Sequence, residues 1–114
     1  MQKGVHKNLS NLNLVEEKLS TQWLEKGEAT KFKIADLEGD FEVEILRVDP
    51  HTKIKNHRHE KNWEIQINLN TGEIISVCKV GESHELENNT DKVWNILCIK
   101  GNNGVPLLPL GMTE

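Results

Sequence analysis

Apolar and polar positions alternate with a period of two along most of the chain. Phe32 and Ile34 alternate with Lys31 and Lys33, and Phe41, Val43 and Ile45 alternate with Glu42 and Glu44. Successive side chains of a strand point to opposite faces, so this alternation predicts half-buried strands. The runs Ile54 to Arg58, Trp63 to Leu69, Ile74 to Val80 and Val93 to Lys100 predict four more. Turn formers separate them: Glu38-Gly39-Asp40, Asp49-Pro50, Asn70-Thr71-Gly72 and the stretch Glu87 to Asp91. Short strands punctuated this often predict an all-β sandwich or barrel.

The pattern differs at the two ends. Leu12, Val15, Leu19 and Trp23 fall near helical spacing, and Asn13 with Glu16 has the form of a capping box. A short helix or an irregular wrap over 13–25, broken by Gly27, is expected there, after a polar leader at 1–12. At the other end Pro106-Leu107-Leu108-Pro109-Leu110 cannot pair as a central strand and is expected to lie as an extended cover. The organisation expected is an N-terminal segment, 1–30, packing on a barrel of residues 31–101, with a tail at 102–114.

At 114 residues the chain is long enough for one domain with its own core. Hydrophobic residues at 36% and charged residues at 28% exclude a disordered chain. A net charge of −4, with basic residues scattered among acids, argues against a nucleic-acid surface. No apolar run approaches the roughly 20 residues of a membrane helix, and Met1 to Ser10 has no signal-peptide core. No membrane partner and a cytoplasmic location are therefore expected. Cys78 and Cys98 both sit in apolar stretches and read as buried free thiols rather than a disulfide framework.

The chemistry concentrates in the middle of the chain. His57-Arg58-His59 places two imidazoles two residues apart, on one side of a strand. Glu64 opens the next apolar run, and His84 follows Gly81. Three imidazoles and one carboxylate suit a divalent ion such as Mn, Fe, Ni, Co or Zn and leave coordination positions open. Glu60 is the substitute carboxylate if Glu64 points away. Arg47 could enter the pocket and clamp an anion. Gln66 and Trp63 complete the candidate ligand-contacting residues. His6 and His51 read as ordinary surface residues.

The string His57-x-His59-x-x-x-x-Glu64, with Gly72 beyond it, resembles the first motif of the cupin superfamily. Lys79-x-Gly81-x-x-His84-x-x-x-Asn88 resembles the second. The resemblance runs from about Phe41 to Gly101. It implies a small jelly-roll β-barrel with His57, His59, Glu64 and His84 as metal ligands and Asn88 as a turn residue. His51 stands where the first motif usually begins with Gly, and Lys79 where the second usually has Pro. Residues 73–83 alone separate Gly72 from His84, so the hairpin that usually lies between the motifs is expected to be shortened or lost, leaving an open pocket.

The function this implies is a small metal-binding protein that binds, and can transform, a small organic molecule. Oxygenase, isomerase and lyase chemistry all fit such a site. A non-catalytic ligand binder or sensor is the alternative, as is a metal-free sugar-isomerase-like relative in which a histidine is the general base. A homodimer is expected as well. If Glu64 faces inward, so do Gln66 and Asn68, leaving Trp63, Ile65, Ile67 and Leu69 outward, where a partner would cover them. The stretch Val93 to Ile99, apolar on both faces, supports this; a Glu64 at the barrel mouth beyond a bulge would remove the need.

Overall fold

The computed structural model describes residues 14–34, 41–102 and 104–105. The leader at 1–12, Asn13, the turn at Glu38-Gly39-Asp40 and the Pro106–Leu110 cover lie outside the described residues. Nine strands are described: β1 (Leu14–Lys18), β2 (Leu24–Lys26), β3 (Ala29–Ile34), β4 (Phe41–Val48), β5 (Thr52–Arg58), β6 (Asn62–Asn68), β7 (Glu73–Cys78), β8 (Ser83–Asn88) and β9 (Trp94–Asn102). They form a six-stranded sheet in the order β1-β3-β4-β9-β6-β7 and a three-stranded sheet in the order β2-β5-β8. Every pairing is antiparallel. The architecture is the small jelly roll the sequence predicts.

The N-terminal stretch differs from the helix weighed for it. It forms β1 and β2, joined through a single 3-10 turn at Thr21–Trp23. A helix this short is marginal in water, whereas β1 pairs with β3 along its whole length and β2 completes the small sheet. Ser83–Asn88 also differs, being a strand where only a ligand loop and turn are expected. It pairs with β5. β7 and β8 follow each other across residues 79–82 alone, with no hairpin between them, but lie in different sheets.

The interior between the two sheets has two halves. One end is apolar: Leu24, Ala29, Leu46, Val48, Ile54, Leu86, Ile96 and Cys98 form the core, with Leu19 and Trp94 packed against it. The other end carries buried Glu44 and Glu64. Val48, Thr52, Asn88 and Ile96 are wholly enclosed. Asn88 Nδ2 donates to the carbonyls of Val48, Asp49 and Lys92, and its Oδ1 accepts from the Thr90 amide and hydroxyl, so it fastens the β8–β9 turn.

Two glycines are required by close approach. Gly27 has φ +85°, and a Cβ there would meet Thr52 Oγ1 at 2.0 Å. A Cβ on Gly101 would lie 2.2 Å from the Trp63 ring. Trp63 fills that space on the outer face, edge-on to Phe41, and its indole N–H donates to the Val105 carbonyl. Gly27→Ala and Gly101→Ala should each lose about 1–3 kcal/mol of stability through overpacking. Urea denaturation checks this, with Gly81→Ala, which meets no atom within 4 Å but has φ +85°, as the control for backbone strain alone.

Candidate metal centre

Three imidazoles come from the small sheet and its margin, and one carboxylate faces them from the large sheet. His57 lies on β5, His59 just beyond its end, His84 on β8 and Glu64 on β6. His57 and His84 are cross-strand partners. A bulge places His57 correctly. Ile54 pairs with Leu86 and His57 with His84, so β5 spends three residues where β8 spends two. The extra residue returns His57 to the face that Ile54 occupies, and both line the same cavity.

The bulge also sets the His57 tautomer. His57 Nδ1 lies 2.7 Å from the Lys55 carbonyl oxygen. A carbonyl only accepts, so Nδ1 carries the proton and, in neutral imidazole, Nε2 keeps its lone pair. That Nε2 points at His84 Nε2, 3.0 Å away. His84 Nδ1 in turn lies 3.4 Å from Ser76 Oγ. The ring nitrogens of His57, His59 and His84 all fall within 4.8 Å of one another.

Glu64 Oε1 reaches 3.2 Å from both His59 Nε2 and His84 Nε2. Neither contact meets the geometry of a hydrogen bond. Buried His59 Nε2 and Glu64 Oε1 have no hydrogen-bond partner. Orphaned buried polar atoms are costly. A divalent ion at their shared centre would satisfy them, so the residues present fit a metal. Glu60 does not compete for this role: it pairs with Arg58 at the surface, 2.9 Å away.

Burial raises the Glu64 carboxyl, but His59, Lys100 and His84 outweigh it and hold the group below the ordinary carboxylate range. Burial lowers His84, assisted by the like charges of His57, His59 and Lys100 and opposed by Glu64, and leaves it below the usual imidazole value. Both shifts favour the forms that bind a metal: carboxylate and neutral imidazole.

The ligand set opens on a cavity of about 160 Å³. Gln66 lines it. Arg47 and Trp63 do not, because β4 and β6 turn their other faces inward. On β4 the inward residues are Glu44, Leu46 and Val48, and Arg47 lies outside with its guanidinium 5.3 Å above the Phe32 ring. On β6 Glu64, Gln66 and Asn68 are buried while the apolar residues face out, as the inward Glu64 requires. Glu44, Lys100, Leu19 and Trp23 also line the cavity and escape the sequence reading. Lys100 was findable, since it continues the inward series Ile96, Cys98. Trp23 packs edge-on against His57, their rings 5.7 Å apart, a long-range contact no local pattern shows.

No protein-family model and no curated protein matches the chain. Solved structures do. A predicted oxalate decarboxylase from Thermotoga maritima superposes with a TM-score of 0.63 at 21% identity, over 80% of this chain and 95% of that one. The polyketide cyclase RemF from Streptomyces resistomycificus gives 0.54 at 18% identity, over 81% and 75%. A cupin-2 domain from Rhodospirillum rubrum gives 0.51 at 14%, over 80% and 70%. At these identities the likeness shows the fold and no activity: the chain has the jelly-roll barrel of these cupin structures.

Proposed function

We propose that this protein binds a divalent transition metal through His57, His59, His84 and Glu64 and uses it to hold a small organic molecule. The supporting observation is the convergence of three imidazoles within 4.8 Å of one another, two of them, His59 and His84, 3.2 Å from the buried Glu64 Oε1. Three nitrogens and one oxygen suit Mn, Fe, Ni, Co or Zn better than the hard all-oxygen ions. When bound, such an ion acts as a Lewis acid toward a ligand oxygen. The chain's own residues orient the ligands: Lys55 fixes the His57 ring, and Ser76 abuts His84. Leu19 and Trp23 wall the cavity.

The proposal includes assembly and location. The outward positions of β6 and β9 are Trp63, Ile65, Ile67, Asn95, Leu97 and Ile99, with no charge among them, and Ile45, Ile75 and Val77 are exposed on the same face. A second copy stacked on this face would bury the apolar surface of β6, β7 and β9, with Arg47, the cross-strand partner of Asn95, beside the patch. Light scattering should give twice 13.0 kDa; a monomer at micromolar concentration overturns the dimer and leaves the chain's own tail as the cover. No helix among the described residues is long and apolar enough to cross a membrane. The free thiols Cys78 and Cys98 suit a reducing compartment, which supports a cytoplasmic location.

Elemental analysis of protein purified without an affinity tag should find about one metal per chain. A saturating metal at a hundred times its dissociation constant adds about 2.7 kcal/mol to stability. Chelation should therefore lower the melting temperature, and His84→Ala should abolish metal retention while the barrel stays folded. A metal-free protein indifferent to added ions would overturn the centre in favour of the histidine-base alternative.

The metal-free protein should also lose stability on acidification. His84 and Glu64 both have lowered folded-state pKa values, so the unfolded chain binds more protons. The loss should begin below the unfolded imidazole value of about 6.5 and deepen below about 4.3, as Glu64 takes up its proton. Urea denaturation between those values should show a shallower pH dependence in His84→Gln.

A further inference from the structure

Beside the metal ligands, the cavity contains a buried ion pair with no evident structural need. Lys100 Nζ lies 2.8 Å from Glu44 Oε1. Glu44 is 3% exposed, and its Oε2 has no hydrogen-bond partner. Lys100 is the cross-strand partner of Glu64, so both side chains stand on the inner face next to the imidazoles. A buried ion pair contributes little net stability compared with apolar packing, because desolvation offsets its attraction. This one also leaves a carboxylate oxygen unsatisfied.

We propose that Lys100 is the cation that receives a carboxylate group of the bound ligand, positioned for that role by Glu44. The ammonium has three N–H donors, and it lines the cavity with its side chain 18% exposed. Burial works against its charge, but Glu44 and then Glu64 more than compensate, so it stays protonated. The other charged residues lining the cavity have partners elsewhere: Lys31 pairs with Glu17 and Glu85 with Lys53. This inference rests on the metal-centre reading for one step only, the count of charge. With a divalent ion present, the ion and Lys100 exceed Glu44 and Glu64 by one positive charge, so the cavity favours a monoanion. Leu19, Trp23, Leu46, Ile54 and Leu86 line the rest of the wall. The ligand class is thus a small monocarboxylate with an apolar body, one polar end on the metal side and its charge at Lys100.

The test uses glycolate, phenylacetate and mandelate, each paired with its neutral amide, in titration calorimetry. Lys100→Met alone strands the Glu44 charge and risks the fold, so the double variant Glu44→Gln/Lys100→Met, which removes both charges together, is measured beside it. In the parent protein at least one carboxylate should bind more tightly than its amide. In the double variant that carboxylate should weaken about ten- to hundredfold, the range for a lost charge-assisted hydrogen bond, while its amide changes less than about twofold. Equal weakening of both, no weakening, or no preference for carboxylate in the parent overturns the role of Lys100. Metal content is measured on the same samples. A parent protein without metal leaves the cavity one negative charge in excess and overturns the metal centre and the monoanion class together, whereas a metal-loaded parent with no carboxylate preference overturns Lys100 alone.

Discussion

Glu64 is the point at which the two sheets of this protein address each other. Its carboxylate projects from β6 of the large sheet to within 3.2 Å of His59, at the margin of β5, and His84, on β8 of the small one. Its inward orientation fixes the parity of the whole strand. Gln66 and Asn68 must follow it inside, and Trp63, Ile65 and Ile67 must face out. The polar interior, the apolar exterior and the close fit of Gly101 under the Trp63 ring all follow from that one register.

The interior is consequently divided. Its apolar half, around Ile96 and Val48, supplies the hydrophobic stability that a barrel of this size requires. Its polar half gathers two carboxylates, a lysine and three imidazoles into one cavity, and three atoms there, Glu44 Oε2, His59 Nε2 and Glu64 Oε1, have no hydrogen-bond partner. Such unsatisfied groups are expected where function, rather than stability, sets the residue. The β5 bulge shows the same division at the level of backbone. It disrupts regular pairing between Ile54 and His57, and in return it aims His57 inward and donates the Lys55 carbonyl that fixes its ring.

Much of this was legible in the sequence because two signals are local. Period-two alternation marked most of the strands, and the spacing of His57, His59, Glu64 and His84 marked the ligand group. What escaped depended on contacts between distant segments. Alternation along Phe41, Val43 and Ile45 cannot say which face is inside, and here Glu44 and Leu46 are inside, which sends Arg47 to the Phe32 side. The apolar residues at 15, 19 and 23 fit a helix until β3 offers β1 a pairing edge. The short connection between Gly72 and His84 shows that the intervening hairpin is missing, but not that β7 and β8 enter different sheets.

Replacing Arg47 with Lys100 as the cavity's cation changes what the site can recognise. An arginine at the mouth would present a planar fork to any anion arriving from solvent. A lysine on β9, held by Glu44 and cross-strand from Glu64, presents a single compact charge to the same cavity that the imidazoles line. On the proposed reading, recognition depends on a ligand that spans two points, the histidine cluster and the ammonium, within a cavity of about 160 Å³. This fold hosts many chemistries, so its shape alone selects none of them. The inward residues of β4, β6 and β9 are what distinguish this barrel, and on those strands Glu44, Glu64 and Lys100 stand next to the histidine cluster that could hold a metal.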